Sequence, residues 1–398
     1  MKIGIVVDNE VNSDIRVLRE IGILKEQGFE IFVLCFGFYK MYKDPVNKIN
    51  ITRINIPRKL KDILFFLLNT IPVYEWHWAS KIKKFIINNH IEFLHVHDLY
   101  MVRAAYNGIK KTSLKIPLIL DLHENYPYTV TTYNWTKGFF RRLISRPDLW
   151  KIKEKEYLGY ADRIIVLSND FRDTLLEQYH ELAAETFIVL PNVPDLSQPE
   201  YKKKGIVLNP FKMEFPIIFY YGVIAERRGI FDAMEVFINL VKEDYPVNFL
   251  LVGPVDKKDK TLFLELIGLD LLTSRVHYIP WIESKEFPDY LGICDICIAP
   301  FHKNPQHESG VANKIYDYML GGKPIVASNC KPQQDLIEKN NCGLIFENNT
   351  EFHDAIIKLL NDKLLRKELG ENGRNAIIRE YNTEIVKENL ILMYKKLR

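Results

Sequence analysis

Residues 93–98 read FLHVHD and residues 118–124 read LILDLHE. Each is a short apolar run that ends on imidazole and carboxylate groups, which reads as a buried parallel strand with its carboxyl end carrying chemistry. Outward from this pair, similar runs occur at residues 3–7, 31–35, 163–167 and 187–190, with a helix expected near residues 14–27 and helical periodicity between the others. Such alternation builds βαβ units, hence a parallel sheet with helices on both faces. A polar stretch with Pro194, Pro199 and lysines at 202–204 reads as a linker. The pattern then restarts at residues 217–221, 248–252, 276–279, 295–299, 324–327 and 344–346, a second doubly wound domain. From about residue 364 to 397 the chain favours helix, interrupted by Gly370, Gly373 and a break at Tyr381-Asn382-Thr383.

The 398 residues, 47% hydrophobic and 26% charged, suit two or three globular domains and exclude collagen-like or largely disordered chains. Fifty-four Lys and Arg against 51 Asp and Glu leave a net charge of +3, so no whole-molecule field points to nucleic acid. The start, MKIGIVVDNE, has no basic leader followed by a long apolar core, and no run approaches the roughly 18 apolar residues that span a bilayer. Five cysteines, odd in number and sparse, suit a reducing cytoplasm, which makes the sequons at Asn50, Asn134 and Asn348 chance matches.

Two doubly wound domains imply a central cleft, with chemistry at the strand ends. Residues two apart in a strand share a face, so His95 goes with His97 and Asp121 with His123. That cluster could bind a hydroxylated substrate or supply a base. Satisfied structural histidines are one rival, and a Zn²⁺ site of His95, His97, Asp98, His123 and Glu124 that activates water is another. In the second domain, residues 221–229, YGVIAERRG, follow a strand and open a helix. Gly222 permits close backbone approach, the helix start favours an anion, and Arg227 and Arg228 can form forked hydrogen bonds to phosphate. Neither G-x-G-x-x-G nor the Lys-Ser/Thr of a P-loop is present.

Residues 307–324, HESGVANKIYDYMLGGKP, place Glu308 in a glycine-containing loop that leads through Ser309, Gly310 and Val311 to a helix. Asn313 and Lys314 begin that helix, and Asp317 lies about one turn into it. Carboxylates beside a phosphate site need hydrogen-bond donors, and sugar or ribose hydroxyls would supply them. Arginines, a helix start and carboxylates together suggest a nucleotide sugar; the plainer reading of Asp317 is a solvated helical face. Cys294 and Cys297 fall on opposite faces of an expected strand, so core packing fits them better than a metal.

The chain resembles glycosyltransferases of family 4 over nearly its whole length. The resemblance rests on Gly28-Phe29-Glu30 before the second strand, the HVHD and DLHE strand ends, Ala161-Asp162 leading to Val166-Leu167-Ser168, Leu190-Pro191-Asn192, the GVIAERRG turn, Val252-Gly253, Ala299-Pro300 and ANKIYDYMLGGKPIVAS. It implies the α/β GT-B fold: a Rossmann-like acceptor domain at 1–198, a nucleotide-sugar domain at 199–380, and a C-terminal helix at 381–398 returning to the first domain. It further implies that Arg227 and Arg228 clamp a diphosphate, that the loop around Glu308 holds the donor sugar, and that Asp317 takes the ribose-binding carboxylate position. His123 would lie near the acceptor and reacting centre, with Asp14, Arg16, His97, Asp98 and Glu124 as acceptor-side candidates. Three positions depart from the family. Eight residues rather than seven separate Glu308 from Asp317, and the second carboxylate is Asp; Val223 stands where an arginine is usual, leaving Arg227 as its substitute; and residues 8–14 lack glycines.

The expected activity is a retaining hexosyl transfer from a UDP- or GDP-sugar to a glycan or lipid-linked acceptor in surface-polysaccharide synthesis, in the cytoplasm and at the inner face of the plasma membrane. No cofactor is expected, and no catalytic metal, since Asp-x-Asp is absent. An inactive partner in a glycan-assembly complex and the metal-dependent hydrolase are the alternatives. Residues 57–90, with Trp76, Trp78 and six basic against two acidic residues, and residues 135–155, with Phe139, Phe140, Trp150 and seven against two, read either as surfaces for an anionic membrane or as parts of the first core.

Overall fold

The computed structural model describes residues 1–38, 49–196 and 207–397. The chain divides into two compact units, Met1–Pro191 with Lys387–Arg398, and Asn192–Val386. Pro199 and the lysines at 202–204, part of the expected linker, lie outside the described residues.

The first unit is a parallel sheet of β1 (Lys2–Val6), β2 (Glu30–Gly37), β3 (Asn50–Asn55), β4 (Phe93–His97), β5 (Leu118–Asp121), β6 (Arg163–Val166) and β7 (Phe187–Val189) in the order β3-β2-β1-β4-β5-β6-β7. Its helices are α1 (Ile15–Glu26), α2 (Arg58–Phe66), α3 (Val73–Asn89), α4 (Val102–Lys110), α5 (Tyr126–Thr132), α6 (Phe139–Ser145), α7 (Leu149–Leu158) and α8 (Asn169–Gln178). Strand β4 is buried throughout, as expected of a central parallel strand with helices over both faces. Pairing of β4 with β5 sets His97 opposite Asp121, bringing the two chemistry-bearing strand ends to one level. Edge strand β3, sequence NITRIN, carries too few apolar residues to announce itself.

The second unit repeats the plan. Its strands β8 (Ile217–Tyr221), β9 (Asn248–Val252), β10 (Val276–Ile279), β11 (Ile296–Ala299), β12 (Ile325–Ser328) and β13 (Gly343–Phe346) lie in the order β10-β9-β8-β11-β12-β13. Around them are α9 (Ile230–Lys242), α10 (Lys260–Ile267), α11 (Phe287–Gly292), α12 (Asn313–Leu320), α13 (Lys331–Lys339), α14 (Asn349–Asn361) and α15 (Lys363–Arg379); α16 (Thr383–Lys396) follows and from Lys387 on belongs to the first unit. Both sheets have the Rossmann order, and each has its topological switch beside its first strand, between β1 and β4 and between β8 and β11.

Two sequence expectations need correction, and one left open divides. Gly370 and Gly373 do not interrupt α15, which runs unbroken to Arg379. They are glycine because the helix lies close to its neighbours: a Cβ on Gly370 would sit 2.1 Å from the Gly322 carbonyl oxygen, and one on Gly373 3.3 Å from the Met319 Cα. The break at Tyr381–Thr383 does separate α15 from α16, and Asn382 Nδ2 donates to the Ile377 and Ile378 carbonyls there, each at 2.9 Å. Cys294 precedes β11 rather than lying within it; its thiol donates to the Tyr290 carbonyl at 3.1 Å, and both it and Cys297 are buried. Finally, the aromatic, basic segments are split: Trp78 and Trp150 belong to the first core, whereas Trp76, Phe139 and Phe140 are exposed.

Candidate active site

In the second unit the polar groups gather at the switch between β8 and β11. The chain leaves β8 through Gly222, at φ 130°, and turns through Glu226–Arg228 into α9. Gly229, at φ 68°, closes that turn so near Pro300 that a Cβ would sit 1.6 Å from the Pro300 carbonyl oxygen. Only glycine meets both conditions. From the other side α12 is fixed to β8 by the Tyr221 amide, which donates to the Tyr318 hydroxyl at 2.9 Å.

This places Lys314, at the start of α12, beneath the glycine turn. Its Nζ would stand 3.2 Å from a Cβ on Gly222 and lies 3.7 Å from the centroid of the Tyr220 ring. The side chain is 6% exposed and its ammonium has no hydrogen-bond partner. Burial first, and then nearby Arg228, push Lys314 well below the ordinary lysine range. Arg228 is also largely inside, its guanidinium 5.8 Å from the Phe301 ring centroid and its Nε without a partner. Burial lowers its pKa too. A buried amine and a half-buried guanidinium with unused donors, beside a glycine turn at a sheet switch point, can receive one anion of high charge.

The remaining expected donor-side residues divide. Arg227 is half-exposed, with Nη2 at 3.8 Å from Asp256 Oδ2, whereas Lys314 is buried. Glu308 is half-buried, and its Oε1 accepts from the Lys331 amide at 2.9 Å, capping α13. The Ser309 side chain is buried and its hydroxyl donates to the Gln306 carbonyl at 2.7 Å, which holds the loop that carries Gly310 and Val311. Asn313 is exposed at the first position of α12, whose N-cap, Ala312, has no side chain to occupy the free amides. Asp317 is half-buried on the same helix.

The first unit holds a buried relay of charge. Arg16 donates from Nε and Nη2 to Asp121 at 2.8 and 2.9 Å, and from Nη1 to the Leu190 carbonyl at 3.0 Å. Burial opposes the ionised form of Asp121, but Arg16 together with the neighbouring His123 and His97 holds the carboxyl well below its usual range. His97 Nδ1 lies 3.6 Å from that carboxylate and 2.9 Å from His123 Nε2. His123 is therefore the outer end of the relay, 22% exposed, with Nδ1 at 3.7 Å from Asp98. Glu124, beside it, accepts from the Tyr133 hydroxyl at 3.0 Å, and burial pushes its pKa up to about 7. His95 is wholly buried, stacks on His97 and meets the Tyr394 hydroxyl at 2.8 Å; burial lowers it to about 4.

Two acceptor-side expectations change. Arg16 is an interior residue committed to Asp121 and Leu190, and Asp14 is the N-cap of α1, accepting from the Val17 amide at 3.1 Å. Asp8, Glu20 and Tyr394 were not expected in this cluster. Asp8 accepts from the Tyr74 hydroxyl and lies 3.3 Å from Lys61, and burial raises it to about 6. Only the distribution of polar residues after β1 hints at Asp8; Glu20 and Tyr394 look like ordinary helix residues.

Among the described residues, the carboxylates and imidazoles that do converge to metal-ligand distances are Glu20, His95, His97 and Asp121, with ligand atoms within 4.8 Å of one another. Asp98, His123 and Glu124, which the hydrolase reading requires, are not in that set. All four converging residues are buried, and Arg16 already lies 2.8 Å from Asp121 and 3.3 Å from Glu20. A catalytic ion needs a position open to water or substrate, and this cluster offers none.

Residues 16–198 match the family model for Glycosyltransferase Family 4, and residues 204–376 match that for Glycosyl transferases group 1. The chain is 22% identical over 308 residues to the alpha-D-kanosaminyltransferase of Streptomyces kanamyceticus, covering 74% of each chain. It is also 22% identical over 252 residues to the capsular polysaccharide biosynthesis glycosyltransferase CapM of Staphylococcus aureus, covering 61% of this chain and 64% of the relative. Among solved structures it is similar to HepE of Anabaena in complex with UDP, with a TM-score of 0.71 at 15% identity and all of both chains covered.

Proposed function

This chain belongs to glycosyltransferase family 4 and has the GT-B fold of two Rossmann-like units, and we propose that it is a retaining hexosyltransferase moving a sugar from a UDP- or GDP-sugar to a glycan or lipid-linked acceptor of a surface polysaccharide such as capsule, O-antigen or exopolysaccharide. The observation that carries this reading is the buried, unpartnered Lys314 amine under the Gly222 turn, with the half-buried Arg228 guanidinium, its Nε unpartnered, at the following turn. A nucleoside diphosphate is an anion that would repay their burial. UDP in the similar HepE structure and the capsular role in the name of CapM support the donor class and the product class.

On this reading each residue has a task. Lys314, Arg228 and the free amides at the start of α12 take up charge as the bond from sugar to diphosphate breaks, which needs no metal ion. Asp317 receives the ribose hydroxyls, and the loop shaped by Ser309 and anchored through Glu308 to α13 holds the sugar. His123, oriented by His97 and Asp121, steadies the acceptor hydroxyl. The work is done on the cytoplasmic side, with the acceptor presented at the membrane.

A thermal-shift screen against UDP- and GDP-sugars tests the donor class, and calorimetry on Arg228→Ala tests the clamp. Loss of charge-assisted hydrogen bonds worth about 1.5–3 kcal/mol should weaken binding roughly ten- to a hundredfold. Arg228→Lys should restore only part, because it keeps charge but not the fork. Unchanged nucleoside-diphosphate affinity in the alanine variant rejects the assignment. Slow sugar-nucleotide hydrolysis that Arg228→Ala abolishes would exclude the inactive-partner alternative.

A further inference from the structure

Helix α6 exposes Phe139, Phe140 and Leu143 at 79%, 77% and 62%, and Ile152 on α7 is 74% exposed. Adjacent large apolar groups so open to water are unusual on a surface with no partner. The patch continues onto the α2–α3 connection, because Asn69 Nδ2 donates to the Ser145 carbonyl at 2.9 Å and Lys153 Nζ donates to Asn69 Oδ1 at 2.8 Å. Beyond Asn69 lie Ile71 and, near the start of α3, Trp76, both exposed. The core residues of the same segments, Trp78 and Trp150, are at 0% and 2%. The exposed set is therefore not needed to complete the first core.

Charge identifies the occupant. Residues 137–152 contain five basic side chains (Lys137, Arg141, Arg142, Arg146, Lys151) against the one acid Asp148, whereas the entire chain carries only +3. More than the net positive charge of the molecule is thus concentrated around the exposed phenylalanines. Among the described residues no helix is long and apolar enough to cross a membrane, and α6 is a short helix whose apolar side chains are exposed. We propose that α6, with Ile152 and Trp76, docks the first unit on an anionic bilayer, the phenylalanines entering the headgroup boundary and the arginines meeting lipid phosphates. This rests on the reading above only in supposing that the acceptor is held at a membrane.

The test is co-sedimentation of the full chain with vesicles of phosphatidylcholine and phosphatidylglycerol, and with vesicles of phosphatidylcholine alone. Wild type should bind the anionic vesicles at least roughly tenfold more tightly, and added salt should weaken that binding. Phe139→Ser with Phe140→Ser and Leu143→Ser should reduce binding by about tenfold or more while leaving the melting temperature unchanged, since these side chains are exposed. Arg141→Glu with Arg146→Glu should have a similar effect. Equal binding to neutral vesicles overturns the proposal, as does undiminished binding by the triple-serine variant. Dimerisation that the triple variant abolishes, with no vesicle binding, overturns it in favour of a second copy of the chain. The nucleotide-sugar thermal shift of that variant, set by the second unit, should match wild type. A docking failure is therefore distinguishable from a failure of the donor assignment.

Discussion

Lys314 combines two burdens that no side chain near the surface bears together: it is buried, and its ammonium donates to nothing. The Tyr220 face at 3.7 Å offsets part of that cost. The folded pKa lies below the usual lysine value, so stability associated with Lys314 declines as pH falls from that value toward the depressed one. Lys314→Met should therefore raise the melting temperature at neutral pH while weakening nucleotide binding roughly tenfold or more. A bound diphosphate would raise the amine's pKa, so binding should take up a proton and weaken as pH rises, by at most about tenfold per pH unit, between the free and bound values. Calorimetry in buffers of different ionisation enthalpy reads that uptake, and the methionine variant should lack it. His123 and His95 separate in the same manner. His123→Ala should cut transfer roughly 10²-fold with little change in nucleotide affinity, whereas His95→Ala, which removes the partner of Tyr394, should lower the melting temperature at least as much as activity. Near-normal transfer by His123→Ala would make that residue structural. Sequence spacing sufficed to bring His95, His97, Asp121 and His123 together, because strand periodicity is local. It could not foresee that Arg16 turns inward, since that depends on an acid 105 residues away.

Glycines show best how far a sequence can be read for its helices and strands. Gly22 in α1 and Gly370 in α15 look alike on paper, each a weak point in a helix. A Cβ on Gly22 would meet nothing within 4 Å, whereas on Gly370 it would strike the Gly322 carbonyl at 2.1 Å. Gly22→Ala should stabilise the protein by about 0.5–1 kcal/mol, and Gly370→Ala should destabilise it by more than that despite its better helix propensity. Thermal melts of the two variants check the opposite signs; stabilisation by both would mean that α15 has room to withdraw. Strand positions were readable because buried parallel strands are continuous apolar runs, and β4 begins and ends where its pattern does. Edge strand β3 was not, since NITRIN, with one buried residue, lacks the continuous apolar run that marks a buried strand. Helix α15 was read as broken because packing against the turn at Gly322, which explains its glycine, is invisible to periodicity.

The division of the chain into two units was readable as a restart of the strand pattern, but ownership of the last residues was not a matter of pattern. Lys387–Arg398 count with the first unit, where Tyr394 is wholly buried against Phe29, Phe93 and His95. A fragment of residues 1–191 should consequently be less stable than the same unit in the full chain, and adding a peptide of residues 383–398 should recover part of the loss; equal melting temperatures with and without the peptide would show that the first unit is complete without it. The same arrangement bears on how the protein comes off the ribosome. The second unit is a single continuous segment and can close as soon as it emerges. The first unit emerges earlier yet lacks residues 387–398 until the whole second unit has been made, a delay of roughly 10–40 s at about 5–20 residues per second. During that interval Phe29, Phe93 and His95 have no Tyr394 against them, so the nascent chain offers chaperones and proteases a half-closed domain, and truncation before Lys387 would leave it in that condition permanently.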